Sequence, residues 1–212
     1  MDNGQLTMDN ESAAFVNTYR NSADAVGAIL ALHFPAGRII DANFGHGVFY
    51  KNGTRKRVTG IDIKATGDVI ADNRHLPFGD NSFEVGVLDP PYKRGGGNHR
   101  YTERYGIAPT TEPRVTRSYF AALPELIRVA RDGLIIKCQD AADGHAFHAR
   151  HIMIASWMAE RIGLQPHDIV NVARHSVPNA NTQGQRRYFQ QTMSYFLIYK
   201  WRCKSPFRPV RF

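Results

Sequence analysis

The amino-acid sequence predicts an α/β fold: a mostly parallel, seven-stranded sheet that ends in an antiparallel C-terminal hairpin. Three observations predict it. Seven short apolar runs recur along the chain, several alternating with segments of helical periodicity, the pattern of strands joined by crossovers. The last two runs are joined by a polar link with no helical pattern, which suits a hairpin. The chain has 212 residues and shows no internal repeat or domain linker, so one domain over 1–212 can hold one core.

The elements follow in order. Residues 1–12 are polar and predict a loose start. Val26, Ile29, Leu30 and His33 keep helical spacing, which predicts a helix over 23–34 with Ser22 as its N-cap and Pro35-Ala36-Gly37 as its stop. Residues 38–42 read as the first strand, 43–47 as a loop and 48–51 as the start of a helical turn. Residues 58–62 and 68–72 read as the second and third strands, 75–80 as a loop and 83–88 as the fourth strand. Residues 93–112 lack periodicity and contain Gly95-Gly96-Gly97; so long an irregular stretch in a compact domain is usually functional or disordered. A helix is expected over 115–131, kinked or divided at Pro124. Residues 134–138 form the fifth strand, 152–162 a helix, and 169–172 with 195–199 the closing pair.

Composition narrows the function. Lys and Arg number 27 against 19 Asp and Glu, a net charge of +8, and the isoelectric point is about 9.7. That balance favours a polyanionic partner, of which nucleic acid is the commonest. From Arg186 onward the chain has basic residues and no acidic one. No apolar run reaches the length of a transmembrane helix, so no membrane partner is expected. The N-terminus is polar and acidic, unlike a secretory signal. The two cysteines, Cys138 and Cys203, cannot form a zinc set by themselves, and a cytoplasmic, reducing location is the simplest expectation. His145, His148 and His151 recur every third residue, but no carboxylate or cysteine completes a metal set, so no metal is expected.

Four aspartates close four successive predicted strands: Asp41, Asp62, Asp72 and Asp89. Ligands of open parallel sheets bind beyond the carboxyl ends of the strands, so the four together predict a ligand site. Asp41 runs into Asn43-Phe44-Gly45-His46-Gly47. The third glycine of a dinucleotide fingerprint is missing, since Tyr50 stands there, and an acid before the glycines would repel phosphate while favouring a ligand amine. Asp62 lies 21 positions after Asp41, where a carboxylate can accept from two ribose hydroxyls. Asp89-Pro90-Pro91-Tyr92 joins a carboxylate, a rigid corner and an aromatic ring. The Asp89 carboxylate and the Pro90 carbonyl can each accept one N–H of a planar amine, stabilising the charge that the nitrogen gains as it attacks. The Tyr92 ring can stack on a base.

In these residues the chain resembles the class I S-adenosylmethionine-dependent amino methyltransferases, and within them DNA adenine-N6 and cytosine-N4 methyltransferases. The resemblance covers about residues 22–140 and rests on Asp-x-x-x-Gly-x-Gly, two strand-end aspartates, Leu76-Pro77-Phe78 and the Asp-Pro-Pro-Tyr tetrapeptide. It implies a Rossmann-like fold and S-adenosylmethionine as cofactor. It implies that Asp41, Gly45 and Gly47 line the methionine part, that Asp62 holds the ribose with Ile63 beside the adenine, and that Asp72 with Asn73 meets the adenine amine; Asn43 and Phe44, in the same loop, are further cofactor-binding candidates. It makes Asp89, Pro90, Pro91 and Tyr92 the catalytic loop. Where the family carries Phe, two residues before the first glycine, this chain has Asn43, and Phe44 follows one place later.

Only 72 residues follow Asp140, most of them needed to finish the sheet, so a separate target-recognition domain is not expected. Target reading falls to 93–117, with Lys93, Arg94, Arg100, Arg104, Arg114 and Arg117, and to 173–192, with Arg186 and Arg187. The expectation is methyl transfer to a nucleobase amine, adenine N6 in DNA first. The alternatives are an RNA methyltransferase acting on adenine or on guanine N2, and a non-catalytic nucleic-acid-binding protein of the same fold. A protein glutamine methyltransferase fits less well, because that group resembles Asn-Pro-Pro-Tyr.

Overall fold

The computed structural model describes residues 16–51, 53–64, 66–91, 112–142, 146–173 and 193–201. Its centre is an eight-stranded sheet. In chain order the strands are β1 (Thr18–Tyr19), β2 (Ile39–Asp41), β3 (Val58–Asp62), β4 (Val69–Ile70), β5 (Phe83–Leu88), β6 (Ala130–Cys138), β7 (Ala141–Ala142), β8 (Phe147–His148), β9 (Asp168–Ala173) and β10 (Met193–Lys200). Three α-helices are described: α1 (Ser22–His33), α2 (Glu112–Val129) and α3 (Arg150–Ile162). The main sheet has the order β1-β9-β10-β6-β5-β2-β3-β4, and β7 with β8 forms a small separate ribbon. β4, β3, β2, β5 and β6 run parallel, whereas β10 is antiparallel to both β6 and β9. The predicted architecture is therefore present, with an eighth strand: β1 pairs in parallel with β9 through Thr18 and Tyr19.

The helices cover both faces. One core packs Ile40, Leu88, Leu134 and Ile136 under Leu123 and Leu126 of α2 and Ile154 and Met158 of α3. The other packs Ile39, Val85, Val87, Ile135 and Phe196 under Val26, Ile29 and Leu30 of α1. Adjacent residues of one strand serve opposite cores, as the two-residue period of a strand requires. At the N-terminus of α1, Asn21 acts as the cap, one place before the expected Ser22, its side chain accepting from the Asp24 N–H at 2.9 Å. At the other end, His33 Nε2 lies 3.0 Å from Asp168 Oδ2 and ties α1 to β9.

Three expectations need correction. Residues 48–51 form turns rather than the start of a helix, because Tyr50 is drawn inward. α2 is not divided at Pro124: Ala122, Leu123 and Leu126 are fully buried, and burying large apolar side chains at roughly 1.5–3 kcal/mol each outweighs the roughly 3 kcal/mol cost of an internal proline. β4 is only two residues long, so Asp72 sits in the loop beyond it rather than at the strand end. Of the segment 93–117, residues 112–117 are the first turns of α2; residues 93–111 and 174–192 lie outside the described residues. Among the described residues, no helix is long and apolar enough to cross a membrane.

Candidate active site

The chain runs from β2 outward to β3 and β4, then returns to β5 on the other side of β2. A crevice opens where such a sheet reverses its order, outside the carboxyl ends of the strands. Here it is a cavity of about 630 Å³, within the usual range of small-molecule sites. Its floor and walls come from the loop after β2, the ends of β3 and β4, the corner after β5, and Lys137 of β6. The first turns of α2 close it with Arg114, Arg117, Ser118 and Ala121.

The loop after β2 is held from below. Asp41 is buried, and its carboxylate accepts from the Asn43 N–H at 3.0 Å and from the Tyr50 hydroxyl at 2.7 Å. Burial pushes its carboxyl up to about 7, against the two hydrogen bonds, and the nearby Asp89 and Asp62 charges add to the rise. Asp41 is not among the lining residues; it supports the loop that lines the cavity. Asn43 does line it, and the Asn43 Oδ1 accepts from Asn73 Nδ2 at 3.1 Å, joining the β2 and β4 loops.

Phe44 lies across Gly60 of β3, and a Cβ at either Gly47 or Gly60 would run into its ring. Tyr50 stacks on that ring at 6.2 Å between centroids, and the Arg55 guanidinium sits 4.6 Å from it. Gly47 also has φ of +62°, a backbone region that favours glycine. Its place is thus explained by the turn and by Phe44, and it is not among the lining residues. Gly45, with φ of +54°, does line the cavity and donates its N–H to Asp62 Oδ2 at 3.0 Å.

Asp62 also accepts the Lys64 N–H on Oδ1 at 2.9 Å. Each of its oxygens therefore has one backbone donor and spare lone-pair capacity. Ile63 beside it is 73% exposed on the cavity wall, an apolar surface facing open space. Asp72 is gripped by its neighbour Arg74, with Nη2 at 2.5 Å and Nε at 2.9 Å. The Arg74 side chain holds the Asp72 carboxyl down at about 2. Both residues line the cavity.

Asp89, Pro90 and Pro91 follow β5 and line the cavity directly. Tyr92 lies outside the described residues, as do Lys93, Arg94, Arg100, Arg104, Arg186 and Arg187. The Asp89 Oδ2 accepts from Lys137 Nζ at 3.1 Å, with the lysine side chain only 7% exposed. The pairing follows from strand register. Leu88 is opposite Ile136 across parallel β5 and β6, so the next residues, Asp89 and Lys137, come together. Phe196 of β10 is the register partner of Lys137, and the ammonium sits 4.9 Å from the Phe49 ring and 6.0 Å from the Phe196 ring.

The sequence reading had no role for Lys137, though a signal was present. A lysine inside Leu134-Ile135-Ile136-Lys137-Cys138 must be paired if that strand is buried. His46, Val48, Phe49, Arg74, Ser118 and Ala121 also line the cavity without having been singled out; only tertiary packing brings them there. His148 and His151 do not share a helix face. His148 is in β8, His151 begins α3 and bonds Asp140 through Nδ1 at 2.8 Å, and His145 lies outside the described residues. Among the described residues no cluster suits a metal ion.

No protein-family model matches the chain, and no curated protein matches it in sequence. Solved structures do match. A candidate RNA methyltransferase from Pyrococcus horikoshii has a TM-score of 0.50 at 12% identity, over 86% of this chain and 85% of that one. A SAM-dependent methyltransferase from Methanosarcina mazei has a TM-score of 0.49 at 13% identity, over 81% of this chain and 96% of that one. The 1,6-didemethyltoxoflavin-N1-methyltransferase of Burkholderia thailandensis, solved with S-adenosylhomocysteine, has a TM-score of 0.47 at 15% identity, over 84% of this chain and 77% of that one. The fold is the Rossmann-like fold of the class I methyltransferases.

Proposed function

We propose that this protein transfers a methyl group from S-adenosylmethionine to an exocyclic amine of a nucleobase, with adenine N6 in DNA the first target. The observation that carries the reading is Asp89-Pro90-Pro91 at the mouth of β5, in one cavity with Asp62, Ile63, Asp72 and Asn73. The residues fit the cofactor. Asp62 can accept from two ribose hydroxyls while keeping its backbone donors, Ile63 offers an apolar face to adenine, and Gly45 and Asn43 border the remaining space. When bound, S-adenosylmethionine supplies an electrophilic methyl group on a positively charged sulfur.

The chain's own residues then prepare the nucleophile. The lone pair of an adenine or cytosine amine is delocalised into the ring, so the amine attacks poorly. The Asp89 carboxylate and the Pro90 carbonyl accept its N–H groups and stabilise the positive charge that develops on nitrogen. The two prolines fix this corner in advance, so little entropy is lost on binding. Tyr92 is assigned to stack on the base, which must leave its helix to reach the cavity. Arg114 and Arg117 on the rim suit backbone phosphates.

Asp89→Ala tests the reading. Methyl transfer is expected to disappear while cofactor affinity, measured by calorimetry, changes little. Full methyl transfer in that variant would move the chemistry to a different site, and nucleic-acid binding by a wild type that transfers no methyl group would favour a non-catalytic role. Base mapping of DNA from cells expressing the protein is expected to reveal a new methylated adenine or cytosine. Label transferred to structured RNA in preference to DNA would move the assignment to RNA.

A further inference from the structure

We propose that Lys137 is a positioning residue for Asp89: its ammonium keeps the carboxylate ionised and so fixes Asp89 as a hydrogen-bond acceptor toward the substrate amine. The inference rests on the functional reading above and deepens it. An ionised carboxylate only accepts, whereas a protonated one offers an O–H donor. A nucleobase amine presents N–H donors and almost no available lone pair. A protonated Asp89 would put an O–H donor on one of its two oxygens, which leaves it fewer acceptors for an amine and lets it serve a ring carbonyl as well. Lys137 sets the polarity by which the site chooses between the two.

Several observations support the assignment. The ammonium is 3.1 Å from Asp89 Oδ2, and both residues line the cavity. The Phe49 ring face lies under the ammonium at 4.9 Å, with Phe196 at 6.0 Å, surroundings that favour a cation over a neutral amine. The nearby Asp41 carboxylate opposes the ionisation of Asp89. Asp41 of β2 lies close enough for the two carboxylates to repel, and Tyr50 and Cys138 also feel the Asp89 charge. Across the cavity stand Asp62, Asp72 with its partner Arg74, His46, and Arg114 and Arg117 of α2. Arg74 is engaged by Asp72, and among the described residues Lys137 is the cation bonded to Asp89.

The test compares the wild type, Lys137→Met, Lys137→Gln and Lys137→Arg in methyl transfer from about pH 5 to about pH 9. Burial pushes the Asp41 carboxyl up to about 7 in the wild type, inside this pH range, so the displacement between profiles is the readout. Removing a cation at this distance is expected to move the acid limb of kcat upward by roughly one to three pH units. Lys137→Arg is expected to keep the limb near its wild-type position, and cofactor affinity is expected to hold throughout. If Lys137→Met fails to fold, the Gln and Arg variants decide by the same criterion. An unmoved limb in Lys137→Gln, or a drop uniform across pH, overturns the inference and leaves the methyltransferase reading standing. A wild type that methylates no DNA or RNA amine overturns both.

Discussion

Asp41, beneath the cavity, and Asp72, on its wall, lie at opposite electrostatic extremes, and pH separates them. The Asp41 carboxyl is pushed up to about 7 in the folded chain, against about 3.9 when unfolded. Between those values the native state binds more protons than the unfolded state, so this group's contribution to stability falls as pH rises through the window. Asp72 behaves oppositely. Its folded carboxyl is held at about 2, so its contribution is present above about pH 4 and lost as pH falls toward 2. Asp41→Asn is expected to flatten the change in urea midpoint between about pH 5 and about pH 8, where Asp72 is ionised in both states. A slope equal to that of the wild type would count against the burial argument. Asp62 and Asp89 were legible in the sequence because each follows an apolar run that ends where a strand must end. The partners of Asp89 and Phe44 were not legible. Lys137 meets Asp89 through the register of two strands, and the Phe44 ring depends on glycines in two separate segments. Neither relation leaves a local pattern in the chain.

At the scale of elements, α2 is both a wall of the core and the rim of the site. Its buried side packs Leu123 and Leu126, while Arg114, Arg117, Ser118 and Ala121, spaced by three or four residues, form the cavity face. The Tyr119 hydroxyl donates to the Lys137 carbonyl at 3.1 Å and fastens the helix to β6. The sequence placed Arg114 before the expected helix start, because the irregular composition ahead of it hid where the helix begins; Arg114 and Arg117 both stand on α2. On a helix their positions are fixed relative to Asp89, so they suit phosphate contacts better than an adaptable loop would. Each of Arg114→Gln and Arg117→Gln is expected to lower the slope of log affinity against log salt by about one for a DNA ligand. The loss should be similar for different sequences, as measured by fluorescence anisotropy over a salt series. A strongly sequence-dependent loss would assign these side chains to base reading instead.

The whole molecule carries the mostly parallel sheet with an antiparallel strand pair that was expected, and most of its strands were legible because apolar runs mark strands wherever they lie. What periodicity could not supply was adjacency: that β10 inserts between β6 and β9, and that β1 extends the sheet beyond β9. The position of β10 has a consequence for how the protein is made. Synthesis delivers β6 long before β10, so a growing chain carries one side of β6 unpaired until its neighbour emerges. During that interval the ring of Phe196 is absent from beside Lys137, and the lysine bonded to Asp89 stands without one of its two aromatic walls. Such an exposed strand edge invites association with other chains. A chain ending before Met193 is expected to aggregate on expression, to lack a cooperative thermal transition and to transfer no methyl group. A ribosome halted at that point would hold the cavity walls contributed from β2 to β5, with Lys137 still waiting on β10 for its second ring.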